Sequence, residues 1–282
     1  MWNKFILPFL PAKFLADQFA YRPTCSTTAA LVALVHHVAQ YLESASFVLC
    51  LSIDYSKAFD TIIHPILFQK LLGLNLLPNV TSWIFNFLTG RTHSVSVGGC
   101  FSDWRPITAS IVQGSGIGSC LFILYTMDLK PLSAIDLIVK YADDTYMLVP
   151  QHSSVTLQTE FSHILDWSSS NNKLILNTLK TKEIVIHRPH ISETLFPPLL
   201  PGIERVDSVK ILDVMFANTM SQMQHIDGLI SQCNQRLFLL SQLKYQNLSG
   251  PALDVIFQAF IVSKITYALP AFAGHITVAD NK

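Results

Sequence analysis

The chain has 282 residues, 19 Lys and Arg against 19 Asp and Glu, and is 50% hydrophobic and 13% charged. That composition excludes disorder, and the zero net charge excludes a global attraction to nucleic acid, so any basic surface is local. The five cysteines are widely spaced and form no C-x-x-C pair, which argues against a zinc site or disulfide framework and for a reducing, intracellular setting, cytoplasm or nucleus.

Residues 1–16 are apolar after Lys4, but Pro8, Pro11 and Lys13 interrupt the run, so it does not read as a secretion signal. Residues 17–23 form a short extended segment stopped by Pro23. Ser26, Thr27 and Thr28 offer N-caps for a helix over 29–43, whose Leu31, Leu34, Val35, Val38 and Leu42 fall on one face. Arg22, just before it, is placed for a phosphate contact or a surface salt bridge. Residues 47–53 are continuously apolar and predict a buried strand. It ends in Asp54, a carboxylate that is costly to bury unless paired or metal-bound. Phe59 follows, either packing in the core or walling a nucleotide sugar.

Amphipathic helices are predicted over 62–72 and 80–88. Residues 93–97 and 101–111 alternate around Gly98-Gly99, which predicts a hairpin. Arg91 and Arg105 would contact phosphates or solvate its edges. Residues 107–127 carry no charge and are long enough to cross a bilayer. The block Gln113-Gly114-Ser115-Gly116-Ile117-Gly118 within them predicts instead a loop feeding a buried helix, and no membrane is expected as a partner. Glycines at a helix start permit close backbone approach to an anion, but no Gly-Lys-Ser/Thr follows.

Residues 137–149 read as two strands joined at a tight Asp143-Asp144 turn. Taken alone, two adjacent acids are a solvated turn. Together with Asp54 they make three carboxylates, which repel unless a cation sits among them. Mg²⁺ takes such oxygen ligands and leaves positions for phosphates. Three carboxylates can hold two metal ions for an in-line phosphoryl displacement. A helix over 155–170 follows, with Phe161, Ile164, Leu165 and Trp167 as its packed face. Strands over 174–176 and 183–187 come next, with Lys173, Lys180, Lys182 and Arg188 forming the most basic stretch. Residues 196–201 are a proline-rich crossing. Helices are predicted over 226–243 and 252–267.

In order and spacing, Gln18-Phe19-Ala20-Tyr21-Arg22-Pro23, Asp54-Tyr55-Ser56-Lys57-Ala58-Phe59-Asp60, Gln113 to Gly118, Tyr141-Ala142-Asp143-Asp144, and Asn171 to Asn177 with Lys180-Thr181-Lys182 form a colinear set. This set resembles reverse transcriptases of non-LTR retrotransposons, particularly the jockey-like group. The resemblance implies an α+β right-hand polymerase with fingers, palm and partial thumb, its palm an antiparallel sheet packed on helices. Fingers and palm would occupy 1–216, with the palm core about 47–72 and 110–216, and a truncated thumb 217–282. The hairpin over 209–216 is similar to the family hairpin that supports the primer end.

The implied activity is RNA-directed DNA synthesis, with an RNA template, a DNA primer and dNTPs as partners. Asp54, Asp143 and Asp144 would be the catalytic carboxylates and the ligands of two Mg²⁺ ions, with Mn²⁺ a possible substitute. Lys180, or its neighbour Lys182, would act beside the leaving pyrophosphate. Phe59 would be the gate against a ribose 2′-hydroxyl, which disfavours an RNA-making polymerase. Gln113 and Gly114 would orient nucleotide and template, and Arg22 and Tyr141 would contact substrate. The chain departs from the family at Asp213, where glycine is usual, and at Ser119, where proline is common. Asp213 is expected to repel primer phosphates. No endonuclease region or zinc knuckle is seen, so the chain reads as a fragment. The alternative function is a catalytically silent remnant with weak nucleic-acid binding.

Overall fold

The structure, a computed structural model, describes residues 1–189 and 191–275. Three short turns of 3₁₀ and π helix open the chain, and their Trp2, Ile6 and Leu15 enter the core. Helix α1 (Thr27–Ser44) starts where Ser26 Oγ accepts the Ala29 N–H at 3.1 Å, the N-cap read from the sequence. Strands β1 (Phe47–Ile53) and β2 (Tyr55–Ser56), helices α2 (His64–Leu72) and α3 (Pro78–Leu88), and four two-residue strands follow: β3 (Thr92–His93), β4 (Ser96–Val97), β5 (Cys100–Phe101) and β6 (Arg105–Pro106). Then come α4 (Gly118–Thr126), β7 (Leu137–Tyr141), β8 (Asp144–Pro150), α5 (Leu157–Asp166), β9 (Ile175–Leu176), β10 (Lys182–His187) and β11 (Glu204–Arg205). The chain continues through β12 (Ser208–Ile211), β13 (Val214–Ala217), α6 (Met223–Tyr245), α7 (Gly250–Phe257), a π turn, α8 (Ser263–Thr266) and α9 (Leu269–Phe272).

Five strands form the central sheet in the order β11-β10-β1-β8-β7, antiparallel throughout except for the short β10–β11 pair. Strand β1 sits in the middle. Its Phe47, Leu49, Leu51 and Ile53 face one apolar cluster, with α4 and residues of α2, α3 and α5. Its Val48 and Cys50 face a second cluster, with α1, the β12–β13 hairpin and α9. Covering on both faces is why an antiparallel strand reads as an unbroken apolar run rather than an alternating one. Helix α4 is buried from Cys120 to Thr126, so its sequence is apolar all round there.

Three expectations are corrected by the backbone. The predicted hairpin over 93–97 and 101–111 shrinks to β4 on β5 and β3 on β6, with no strand beyond Pro106. Every residue of those four strands is exposed, so no buried face extends the pairing. The helix expected over 155–170 ends as α-helix at Asp166 and continues as a π turn to Asn171. The hairpin at 137–149 does not turn on two aspartates. Its turn residues are Ala142 and Asp143, and Asp144 opens β8. Residues Gly250–Phe272 are apolar and long enough to cross a membrane by composition. The helix breaks within them at Ala268, where φ is +54°, and Ala268, Ala271 and Phe272 are buried in the cluster shared with α1.

Candidate active site

Strand pairing brings the acids together. Ile53 of β1 lies opposite Thr145 of β8, and continuing that antiparallel register sets Asp54 alongside Asp144. Asp143 precedes Asp144 in the β7–β8 turn, where Ala142 takes φ +56°. A groove of about 480 Å³ is lined by Asp54, Asp143, Phe59, Asp60, Gln113, Asn177 and Lys180. Asp144, the next residue, is the solvent-facing first residue of β8.

The backbone of Asp54 is gripped by the later basic stretch. Its N–H donates to Thr181 Oγ1 at 3.3 Å, and its carbonyl accepts the Asn177 N–H at 2.8 Å. Beyond it β2 pairs with β9. Asn177, Lys180 and Thr181 are therefore folded onto Asp54 although more than a hundred residues separate them. Lys180 faces the groove. Lys182 instead pairs with Glu204 at 2.5 Å and donates to the Leu179 carbonyl at 2.8 Å.

The acids crowd one another. Partial burial, with Asp54 nearby, raises the Asp143 carboxyl above the usual carboxylate range. Partial burial, then Asp143 and Asp54, push the Asp144 carboxyl up to about 6. Among the described residues no Lys, Arg or His forms an ion pair with any of the three. A divalent cation would relieve that repulsion, and the donor set, oxygen only, suits Mg²⁺ or Mn²⁺. The side chains do not close a cage: among the described residues no three His, Cys, Asp or Glu groups gather tightly enough to hold an ion by themselves. A cation here would take its remaining oxygens from water and phosphate, as Mg²⁺ usually does.

Phe59 has both roles that its residue type allows. Its ring packs on Phe122 with centroids 4.7 Å apart, and it also lines the groove. Gln113 Nε2 donates to Asp60 Oδ1 at 2.7 Å, which ties the glycine loop to the turn after Asp54. Gly114 has φ +75°, a conformation that suits glycine. Gly118 is small for a different reason from anion approach. A Cβ there would meet Ile111 Cγ2 at 2.9 Å and the Val112 carbonyl at 3.0 Å, so protein fills the space. Arg22 forms no salt bridge among the described residues. Its Nη1 donates to the carbonyls of Leu15 and Gln18. Tyr141, half-buried, pairs with Asp144 across the hairpin.

A family model described as reverse transcriptase (RNA-dependent DNA polymerase) matches residues 2–224. The chain belongs to the reverse transcriptase family. The RNA-directed DNA polymerases from the mobile element jockey of Drosophila melanogaster and Drosophila funebris are each 31% identical over 156 residues, 53% of this chain and 17% of those proteins. The probable RNA-directed DNA polymerase from transposon BS of Drosophila melanogaster is 24% identical over 233 residues, 78% of this chain and 26% of that protein. These relatives bear out the resemblance to jockey-like elements, and the chain spans only about a fifth of their length. Telomerase from Candida tropicalis, solved with a fragment of telomeric RNA, superposes with a TM-score of 0.52 at 13% identity, covering 97% of this chain and 47% of that one. The apo enzyme truncated from its C-terminal domain gives 0.52 at 10% identity over 78% of this chain and 45% of that one. The fold is therefore a right-hand polymerase fold, as expected. The family depends on divalent metal.

The candidate site has supports to which the motifs assign no role. Gln18 is 2% exposed. Its Oε1 accepts the N–H of Ala142 at 3.1 Å and of Ala20 at 2.9 Å, so it clips the turn that presents Asp143. Asp17 and Phe19 bond the backbone of Lys140, extending the sheet edge beside β7. Lys140 itself is 1% exposed; its Nζ donates to the carbonyls of Thr126 and Leu129 and lies 3.2 Å from Asp17 Oδ2. Burial lowers its ammonium to about 8, against the opposing pull of Asp17. The sequence signal is a lysine inside an otherwise apolar strand, Leu137-Ile138-Val139-Lys140, directly before Tyr141-Ala142-Asp143-Asp144.

Proposed function

We propose that this chain carries the polymerising site of an RNA-directed DNA polymerase from a jockey-like retrotransposon, extending a DNA primer on an RNA template with dNTPs. The observation that carries the reading is the shared groove. Asp54 and Asp143, far apart in sequence, line it together with Phe59, Gln113 and Lys180, and Asp144 stands beside them.

Asp54, Asp143 and Asp144 would hold two Mg²⁺ ions, with Mn²⁺ a possible substitute. When bound, such ions lower the pKa of the attacking 3′-hydroxyl and neutralise phosphate charge. The protein's own groups do the rest. Thr181 and Asn177 fix the backbone that aims Asp54, and Gln18 fixes the one that aims Asp143. Phe59, braced by Phe122, limits room beside the sugar 2′ position. Gln113 and Gly114 shape the loop against which base and template rest. Lys180 supplies a positive charge or a proton to the departing pyrophosphate. Lys182, held by Glu204, is less suited to that task. Tyr141 backs the catalytic turn. Arg22 keeps further N–H donors for a phosphate while its Nη1 holds the loop.

Primer extension on an RNA template with Mg²⁺ tests the reading. The wild-type chain should incorporate deoxynucleotides. Asp143→Asn should lose at least about a hundredfold, since charge stabilisation at such sites contributes several kcal/mol and each 1.36 kcal/mol is tenfold. A folded wild-type chain that binds primer and template but extends nothing would favour the silent remnant.

A further inference from the structure

The β12–β13 hairpin closes through Leu212 and Asp213, with φ +43° and +71°. Both angles are positive, the geometry that hairpin twist favours and that Gly or Asn usually supplies. Leucine has neither a missing Cβ nor a polar side chain to ease it. The turn is held from outside. The Leu212 N–H donates to Tyr146 Oη at 3.3 Å, and Tyr267 Oη donates to the Leu212 carbonyl at 2.9 Å. Asp213 Oδ1 lies 2.5 Å from Lys210 Nζ, and Oδ2 lies 3.6 Å from Lys264 Nζ. These ion pairs keep the Asp213 carboxyl below the usual carboxylate range, the Lys210 bond most of all.

The partners come from two separate parts of the chain besides the hairpin itself. Tyr146 is a buried residue of β8, two places after Asp144. Lys264 lies in α8, and Tyr267 ends it. Tyr267, Leu212 and Tyr141 also pack against one apolar cluster, which contains Tyr146. Directly after Tyr267 the chain breaks at Ala268, and Ala271 and Phe272 are buried in that same cluster with α1. The end of the C-terminal helices is thus fixed to the palm at the hairpin turn on one side and at α1 on the other.

We propose that the Leu212–Asp213 turn is a joint through which the C-terminal helices position the catalytic strand, with Asp213 and Tyr267 as its positioning residues. Asp213 does not act as a bare negative charge against the primer, because Lys210 and Lys264 face it. It pins α8 to the turn. A shift of α8 draws on Leu212, and Leu212 draws on the Tyr146 hydroxyl. Tyr146 cannot swing aside in a packed core, so the strand that begins with Asp144 follows.

The inference rests on the polymerase reading only for its kinetic arm. Amide hydrogen exchange on the full 282-residue chain is the structural arm, comparing wild type with Asp213→Asn, Lys264→Met, Tyr267→Phe and the conservative Asp213→Glu. The first three should speed exchange at Leu212 and at residues 144–147 by about fivefold, the size of one lost hydrogen bond. Asp213→Glu should stay near wild type. In primer extension the same three should lower kcat while KM for the dNTP holds. Unchanged exchange at residues 144–147, even with faster exchange at Leu212, overturns the coupling. Tighter primer–template binding by Asp213→Asn with unchanged exchange overturns it too, and makes Asp213 a charge barrier. A wild-type chain inactive in extension would sink the polymerase reading and leave the exchange arm standing.

Discussion

Replacing Gln18 by methionine keeps the side chain's length and removes one acceptor. That acceptor takes two backbone N–H groups, Ala20 at 2.9 Å and Ala142 at 3.1 Å. Ala20 is fully buried and Ala142 half-buried, so water replaces the lost bond poorly at the first and partly at the second. An unsatisfied buried donor costs roughly 1–3 kcal/mol, so the pair should cost roughly 2–4 kcal/mol after discounting the wetter site. The loss has a further effect at Ala142, whose φ of +56° is unfavourable for a residue with a Cβ. Freed from Gln18, the turn can relax and carry Asp143 with it, and a displacement near 1 Å costs about a hundredfold in rate. Urea denaturation reads the first quantity and single-turnover primer extension the second. Gln18→Met with wild-type stability and wild-type rate would refute the reasoning. Lost stability with an intact rate would show that Gln18 supports the fold without aiming Asp143.

Phe59→Val should raise ribonucleotide incorporation relative to deoxynucleotide by about tenfold, a contact worth roughly 1–2 kcal/mol, and unchanged discrimination in an active protein would leave Phe59 as a packing partner of Phe122 alone. Lys180→Ala should lower the extension rate by about 10²-fold, within the range for a positioned proton donor, whereas Lys182→Ala should act on stability through its Glu204 pair; the reverse pattern would exchange the two roles. Asp136, buried beside Glu160 and near Tyr41 and Ser153, has its carboxyl pushed up to about 7 by burial with Glu160 adding to it. A folded pKa above the unfolded one means that the native state binds the proton more tightly, so stability falls as pH rises from about 4 to about 7 and is level above. Asp136→Asn should flatten that slope in urea midpoints taken at several pH values, and a variant with the wild-type slope would assign it to other groups, Asp144 included.

The parts of this protein that are local in sequence were legible in it. Ser26 as an N-cap, the buried run ending in Asp54, the buried helix after Gly118 and the hairpin before Pro150 all follow from neighbours within a few residues. What the string does not show shares a cause. Aspartate tolerates turn geometry, so the string alone suggests an Asp-Asp turn. The turn falls one residue earlier because Asp144 pairs with Tyr141 across β7 and β8, and Gln18, 124 residues away, supports Ala142 in its place. Lys210, three residues before Asp213, is a partner the string itself offers, whereas Lys264 comes within 3.6 Å of it only through the fold of α8. Lys180 and Lys182 look equivalent in the string and differ only because Glu204 lies opposite one of them.

The position of the site follows from the sheet's burial. With apolar clusters on both faces of β1, the middle of the strand offers no place for a carboxylate that must stay ionised, because a charge there would be desolvated without a partner. The one location that is both held by backbone pairing and open to solvent is the strand's end. Asp54 takes it on β1, and Asp143 and Asp144 take it where β7 turns into β8. Because neighbouring antiparallel strands are in register, these ends coincide in space. Burial of the sheet then supplies rigidity, and the wet edge keeps the acids solvated, as the proposed cation and polyphosphate binding would require. The same logic explains Lys140. It lies one residue inside the edge on β7, where a charge needs partners, and it has them in Asp17, the Thr126 carbonyl at the end of α4 and the Leu129 carbonyl beyond it. An acid moved one turn of pleat inward, as in Tyr146→Asp, should therefore unfold the central sheet rather than add a ligand.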